Sequence, residues 1–412
     1  MKQHIDNQWV VVTVNKPVLW TRAAEETWIL NPPRRYVMNA CHLASLEGHV
    51  EAVSDLKGAG LYRPLRAGAF LPGARVLVER CRERGIGDLL FMTGPLSYIQ
   101  HVTGGTAQVD FYALAERGHA LAHHPALRFK TTLAGPLHYD DFPLYDYHWM
   151  VDTVTEHQED ADQLNVYDAL YAELGFDPAS IPADFKRPSM QLTEGDTKNL
   201  DQFYYYVHSQ CPGQLDLRRV PYYVVCPFSN ATLRSMPYPK WLELIQELSK
   251  RAHVVVLGNV NQPLPASGCT AGEFVSALTS MGPRVINALG WVSLRTMAAI
   301  ISKSKALVCL DSGPLYVAQA LRVPAVSLWG PHDPRVRIGY DPEYMASAVW
   351  ERQACRYAPC FAYSGFPVHK CPEGAAQSAC QVLSEAPLSQ VLAHVDRLAR
   401  VHAPVGPIPC AK

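Results

Sequence analysis

Ala306-Leu307-Val308-Cys309-Leu310, then Asp311-Ser312-Gly313-Pro314, then Leu315 to Leu321, is the stretch on which the fold turns. Five consecutive apolar residues read as a strand buried on both faces. The polar turn stops it, and the apolar segment that follows opens as a helix. The pattern repeats outward. Tyr222 to Cys226 is strand-like and leads through Pro227-Phe228-Ser229-Asn230-Ala231-Thr232-Leu233-Arg234 to helical spacing from Trp241 to Lys250. His253 to Leu257 is a further buried strand ending at Gly258, and Arg322 to Gly330 supplies another strand and turn. Far upstream, Ala74 to Arg80 runs as a strand, and Arg84-Gly85-Ile86-Gly87-Asp88 breaks it before the apolar stretch Leu89 to Ile99. Strands alternating with helices predict an α/β protein with parallel sheets and crossover helices. In such sheets ligands bind beyond the carboxyl ends of the strands, where Gly85 to Asp88, Pro227 to Arg234, Gly258 and Asp311 to Pro314 all fall.

The length of 412 residues fits two domains. The pattern divides it into an extension or cap over 1–73, an α/β domain over 74–215, a second over 216–385, and a C-terminal helix and tail over 386–412. Leu388 to Val401 reads as an amphipathic helix, and the proline- and tyrosine-rich Pro136 to Tyr147 as a long loop. With 48% hydrophobic and 18% charged residues the chain can bury sizeable cores, which excludes wholesale disorder. A formal net charge of -1 gives no global reason to bind nucleic acid or a membrane. Met1 to Val14 lacks the pattern of a secretory signal and no stretch is apolar for the length of a bilayer span, so the expected location is cytoplasmic. Eleven cysteines, an odd number, suit a reducing compartment; four of them cluster between Cys355 and Cys380.

Three turns carry chemistry. The glycines Gly85 and Gly87 let a backbone or ligand approach closely, and Asp88 puts a carboxylate at a helix start, where it suits either a general base or a first-turn capping acid. Ser229, Thr232 and Arg234, with nearby amides, could clamp a diphosphate; the same segment also reads as a polar loop. The turn of Asp311, Ser312, Gly313 and Pro314 opens a helix, so it is either an anion site or a capped tight turn. Cys355, Cys360, Cys371 and Cys380 could hold a structural iron or zinc, four thiolates filling a tetrahedral site, or remain free thiols. His119 and His123 have the i, i+4 spacing of a helix, but with His124 they read as ordinary surface histidines.

Together the motifs resemble glycosyltransferase family nine, the ADP-heptose:lipopolysaccharide heptosyltransferases. The elements in order are Arg84 to Asp88, Ser229 to Arg234 with Pro239-Lys240-Trp241, Val254 to Gly258, Asp311 to Pro314 with Ala318, Ala320 and Leu321, and Pro324 with Trp329-Gly330-Pro331. The resemblance covers about residues 74 to 400. It implies a GT-B fold, two Rossmann-like domains facing a central cleft, with the donor held by the C-terminal one. It further implies an inverting enzyme without a catalytic metal, in which Asp88 is the base. The leaving nucleoside diphosphate would meet Arg234, Thr232, Ser229 and the amides of Ser312 to Pro314, with Asp311 orienting the turn or touching the sugar. The cysteine cluster is similar to the insertion of autotransporter-type heptosyltransferases, which carry a structural iron there. The sequence departs from the family pattern at Tyr316, where a histidine is common, and in its first 73 residues. The partners implied are an ADP-linked nucleotide-sugar donor and a glycan, protein or other hydroxyl acceptor; a homo-oligomer is compatible with the chain. A catalytically inactive nucleotide- or sugar-binding protein of the same fold, acting in assembly, is the alternative.

Overall fold

The computed structural model describes residues 9–23, 26–80, 85–113, 115–151, 163–210, 215–229, 231–259, 270–360, 371 and 380–401. The chain divides into two compact units, Met1–Val154 with Tyr167–Lys186, and Thr155–Val166 with Arg187–Lys412. Both are α/β with a parallel sheet.

The first unit opens with β-structure. Strands Trp9–Val14 (β1), Val18–Ala23 (β2), Glu26–Leu30 (β3), Arg35–Asn39 (β4) and Val50–Asp55 (β5) come from the segment read as an extension. After them come Arg75–Glu79 (β6), Gln108–Tyr112 (β7), Leu137–His138 (β8) and Tyr147–Met150 (β9). One sheet has the order β5-β1-β4-β8, with antiparallel pairing, and β2 and β3 form a hairpin. The parallel sheet has the order β7-β6-β9. Side chains alternate across a strand, so β1 serves two cores. Trp9 and Val11 pack with Leu77 of β6 and Met150 of β9, whereas Val10, Val12 and Val14 pack with Trp20 and Leu30 of the hairpin. The N-terminal segment is thus built into the core of this unit.

Two sequence expectations change here. The stretch predicted as a long loop contributes β8 and a 3-10 helix, Tyr139–Leu144, because Leu137, Tyr139 and Phe142 are core residues. His119 and His123 do not share a helix. A 3-10 turn spans His119–Leu121, and His123 adopts a left-handed φ of 67°. His124 is buried rather than on the surface, and that burial lowers its pKa to about 4.

In the second unit a six-stranded parallel sheet is built from Tyr222–Cys226 (β10), His253–Val256 (β11), Val285–Asn287 (β12), Leu307–Leu310 (β13), Ala325–Leu328 (β14) and Ala348–Val349 (β15). Their order is β12-β11-β10-β13-β14-β15. Chain order reverses between β10 and β13, the point at which doubly wound sheets open a ligand crevice. Amphipathic helices Tyr238–Ser249 and Leu388–Val401 cover the sheet through Trp241, Leu244, Leu248, Val391 and Val395. Lys240 is a strut within this layer, its Nζ donating to the carbonyls of Ser384 at 2.6 Å and Ala386 at 2.7 Å. Helix Glu194–Gln210 joins the unit through Asp196, which accepts from Arg295 Nε at 3.0 Å and pairs with its second nitrogen. No helix among the described residues is long and apolar enough to cross a membrane.

Candidate functional site

The loop after β10 and the turn after β13 lie side by side at the reversal point, because their parent strands are register neighbours with Cys226 opposite Cys309. Ser229 is buried and its Oγ accepts the Ala231 N–H at 3.2 Å, so this hydroxyl shapes the loop. A 3-10 turn, Thr232–Arg234, follows, closed by the Arg234 N–H donating to the Ala231 carbonyl at 3.0 Å. Asn230 and the side chain of Thr232 lie outside the described residues. Beneath the loop, Gly258 has φ +150°, and a Cβ there would lie 2.7 Å from the Phe228 ring. Glycine is therefore needed for both conformation and space.

Arg234 reaches from this loop to the β13 turn. Its Nη1 stands 3.7 Å from Asp311 Oδ2 and donates to the Asp311 carbonyl at 3.4 Å. Asp311 is 3% exposed. Its Oδ1 accepts from the Tyr316 hydroxyl at 2.5 Å, and its Oδ2 pairs with His332 Nδ1. Burial pushes the Asp311 carboxyl up, but His332, Arg234 and Arg337 pull it well below the usual carboxylate range, so it is ionised. His332 shifts the other way. Burial outweighs the pull of Asp311, and Arg337 and Arg234 lower its pKa further.

The helix Gly313–Ala320 starts at Ser312, whose hydroxyl donates to the Leu310 carbonyl at 3.4 Å and makes no side-chain cap. Its first turn contains no acidic residue, which leaves the positive end of the helix available to an anion. One expectation is corrected by chemistry. Pro314 has no N–H, so the donors at this start are the amides of Ser312 and Gly313, and Pro314 serves to fix the first helical turn.

In the first unit, helix Ile86–Val102 begins directly after Gly85. Asp88, half-buried, accepts the Gly85 N–H through Oδ2 at 3.1 Å, and a Cβ on Gly85 would collide with that oxygen. The carboxylate thus behaves as a first-turn acid held against the chain, and Gly85 makes room for it. Gly87 is buried in the same turn. Arg84 lies outside the described residues.

Cys355, Cys360 and Cys380 are buried, and Cys371 is half-buried against Ala231 and Leu233 of the β10 loop. The Cys360 N–H donates to the Pro331 carbonyl at 3.0 Å. The Cys380 thiol is pushed up to about 11, chiefly by burial, with the nearby thiols of Cys355 and Cys371 adding to the rise and the amides of Leu383 and Val382 opposing it. Among the described residues no group of three or more His, Cys, Asp or Glu side chains is placed to hold a metal ion.

Sequence reasoning missed His332 and Arg337, both buried around Asp311. The available signal was a histidine and an arginine just past the Trp329-Gly330-Pro331 turn, at the carboxyl end of a strand.

Comparison with known proteins points the same way. A model of glycosyltransferase family 9 (heptosyltransferase) matches residues 146–363, more than half of the chain. Among solved structures, ADP-heptose lps heptosyltransferase II of Escherichia coli aligns over 80% of this chain and 99% of its own, with 18% identity and a TM-score of 0.53. TibC, an iron-containing dodecameric glycosyltransferase of enterotoxigenic E. coli, aligns over 96% of this chain and 92% of its own, with 13% identity and a TM-score of 0.53. TibC has also been solved in complex with ADP-D-beta-D-heptose. A family 9 glycosyl transferase of Veillonella parvula aligns over 83% of this chain and 100% of its own, with 13% identity and a TM-score of 0.50. At these identities what is shared is the fold. No curated protein matches the chain.

Proposed function

The chain belongs to glycosyltransferase family 9, the heptosyltransferases, and from that premise we propose an inverting, metal-independent transfer of heptose or a related hexose from an ADP-linked donor to a hydroxyl of a glycan, protein or other acceptor. The observation that carries this reading is Arg234, set against the buried Asp311 where chain order reverses between β10 and β13. A guanidinium there, with the amides of Ser312 and Gly313, suits a diphosphate. The ADP linkage is taken from TibC, which was solved with ADP-D-beta-D-heptose.

In the proposed reaction Asp88 removes the acceptor's hydroxyl proton as the oxygen attacks C1 of the sugar from the face opposite the diphosphate. The new C1–O bond forms, the bond from C1 to the phosphate oxygen breaks, and its electron pair leaves with the diphosphate. Attack from the opposite face inverts C1. Arg234, the two amides, and the hydroxyls of Ser229 and Thr232 take up the developing charge, the part a divalent cation plays in other transferases. We place the enzyme in the cytoplasm, which suits the described cysteines, none of which forms a disulfide with another, and in a homo-oligomer by analogy with dodecameric TibC.

Calorimetric titration with ADP, UDP, GDP and CDP tests the donor end. Selective binding of ADP, lost in Arg234→Ala, is the expected result; binding of none of the four would sink the reading. The role of Asp88 as a helix-start acid favours a second reading, an inactive donor-binding protein. Turnover separates the two, since that protein would bind ADP and release none from ADP-heptose.

We further assign a structural iron or zinc to Cys355, Cys360, Cys371 and Cys380. What supports this is the chemistry of the donor set, three buried thiols and a half-buried fourth; burial holds the Cys380 thiol protonated, so a metal would have to displace that proton on binding. The thiols as placed are not a ready ligand set, so loading would draw them together. Elemental analysis of freshly purified protein should find about one metal per chain, falling in Cys380→Ser. Absence of iron and zinc from the wild type refutes the assignment.

A further inference from the structure

Asp311 is surrounded by donors from three elements. Tyr316, on the helix that follows it, donates to Oδ1 at 2.5 Å; His332, beyond β14, pairs with Oδ2; and Arg234, on the β10 loop, stands 3.7 Å from Oδ2. Asp311 and His332 are 3% and 1% exposed. Both carboxylate oxygens therefore face protein groups. An ionised carboxylate can only accept, so the ring nitrogen against it, Nδ1, carries the proton. Burial lowers the pKa of that ring against the pull of Asp311. The consequence is a division of labour. A phenol and an imidazole satisfy the hydrogen-bonding capacity of the carboxylate, and its charge faces the guanidinium groups of Arg234, 3.7 Å away, and Arg337.

We propose that His332 and Tyr316 are positioning residues for donor binding: by holding Asp311 they hold Arg234 in the orientation that receives the diphosphate. The inference rests on the reading of Arg234 as a diphosphate ligand, and it assigns Asp311 to the support of that residue rather than to contact with the sugar.

The test compares wild type with His332→Leu, His332→Asn and Tyr316→Phe, each checked for folding by its melting curve. ADP affinity is read by calorimetry, and kcat and KM from ADP release. His332→Leu and Tyr316→Phe should each weaken ADP by about tenfold and raise the donor KM in proportion, with kcat changed by less than about twofold, because the lost interaction acts on binding. In His332→Asn the amide nitrogen stands where Nδ1 was and should restore most of the affinity. Folded variants that bind ADP as wild type does would overturn the proposal, as would an asparagine variant no better than leucine. Should His332→Leu fail to fold, Tyr316→Phe decides alone. A wild type that binds no ADP would fail differently, removing the diphosphate reading of Arg234 itself.

Discussion

Gly85→Ala separates the structural from the chemical use of Asp88. The backbone at Gly85 has φ -93° and ψ 140°, open to any L-residue, so alanine adds no conformational strain. What it adds is a Cβ in the space that Asp88 Oδ2 occupies. The carboxylate, at the end of a rotatable side chain, must swing away and give up its 3.1 Å bond from the Gly85 amide. The stability cost is that of one hydrogen bond to a charged group at a partly exposed helix start, about 1–2 kcal/mol. Catalysis should suffer far more. A positioned general base contributes about 10²- to 10⁴-fold, and a displaced one forfeits most of it. We expect ADP release from ADP-heptose to fall roughly 100-fold, approaching Asp88→Asn. ADP affinity should be unchanged, since Arg234 and the Asp311 turn belong to the other unit. Folded Gly85→Ala protein with wild-type turnover would show that the position of Asp88 does not matter to the chemistry, and the base assignment would fall.

Two further outcomes follow from buried geometry. Gly258→Ala combines a φ of +150° with a Cβ 2.7 Å from the Phe228 ring; strain and overpacking together should cost about 2–5 kcal/mol in urea unfolding, and a loss under about 0.5 kcal/mol would contradict the packing described. For Asp196, burial raises the pKa, but Arg295 and the amide and hydroxyl of Thr193 lower it more, for a net shift downward. A depressed folded pKa stabilises the fold above the unfolded value, about 3.9, and that stability is lost as pH falls through the folded value. Asp196→Asn should therefore be destabilised by about 3 kcal/mol at neutral pH, with buried Arg295 keeping its bond to the Gln191 carbonyl but losing its counter-charge, and its deficit should shrink below about pH 4; a deficit constant from pH 7 to 3 would refute the pairing.

The strands that were legible in the sequence are those buried on both faces. Tyr222 to Cys226, His253 to Val256 and Leu307 to Leu310 are continuous apolar runs, which parallel sheets require and surfaces do not tolerate. Val285–Asn287 and Ala348–Val349 escaped because two or three residues establish no period. The N-terminal sheet was illegible as architecture for another reason. Trp9–Val14 forms a strand whose two faces belong to different cores, and no local pattern says which. His332 escaped because its contact with Asp311 spans 21 residues. It exists because Leu310 pairs in register with Leu328, so whatever follows the two strands is brought together. Motif spacing finds a turn; only strand order finds its neighbour.

In the proposed reaction the two helix starts singled out in the sequence are the same local device serving opposite ends of the transfer. In both, a strand gives way through a glycine to a helix whose first amides carry partial positive charge. After β6 an acid sits inside the first turn, and Asp88 itself occupies the positive end by accepting the Gly85 amide. Such a start has no room for a second anion, and what it offers instead is a fixed carboxylate. After β13 the acid stands one residue before the cap, where Tyr316 and His332 hold its carboxylate, and the first turn contains no acid at all. That start is left for a ligand's negative charge. On the proposed reading, a carboxylate just before the cap leaves an anion site open, whereas one at the third position of the helix serves as a base. The contrast favours Ser312 to Gly313 over Asp88 as the proposed diphosphate contact, independently of any likeness to other proteins.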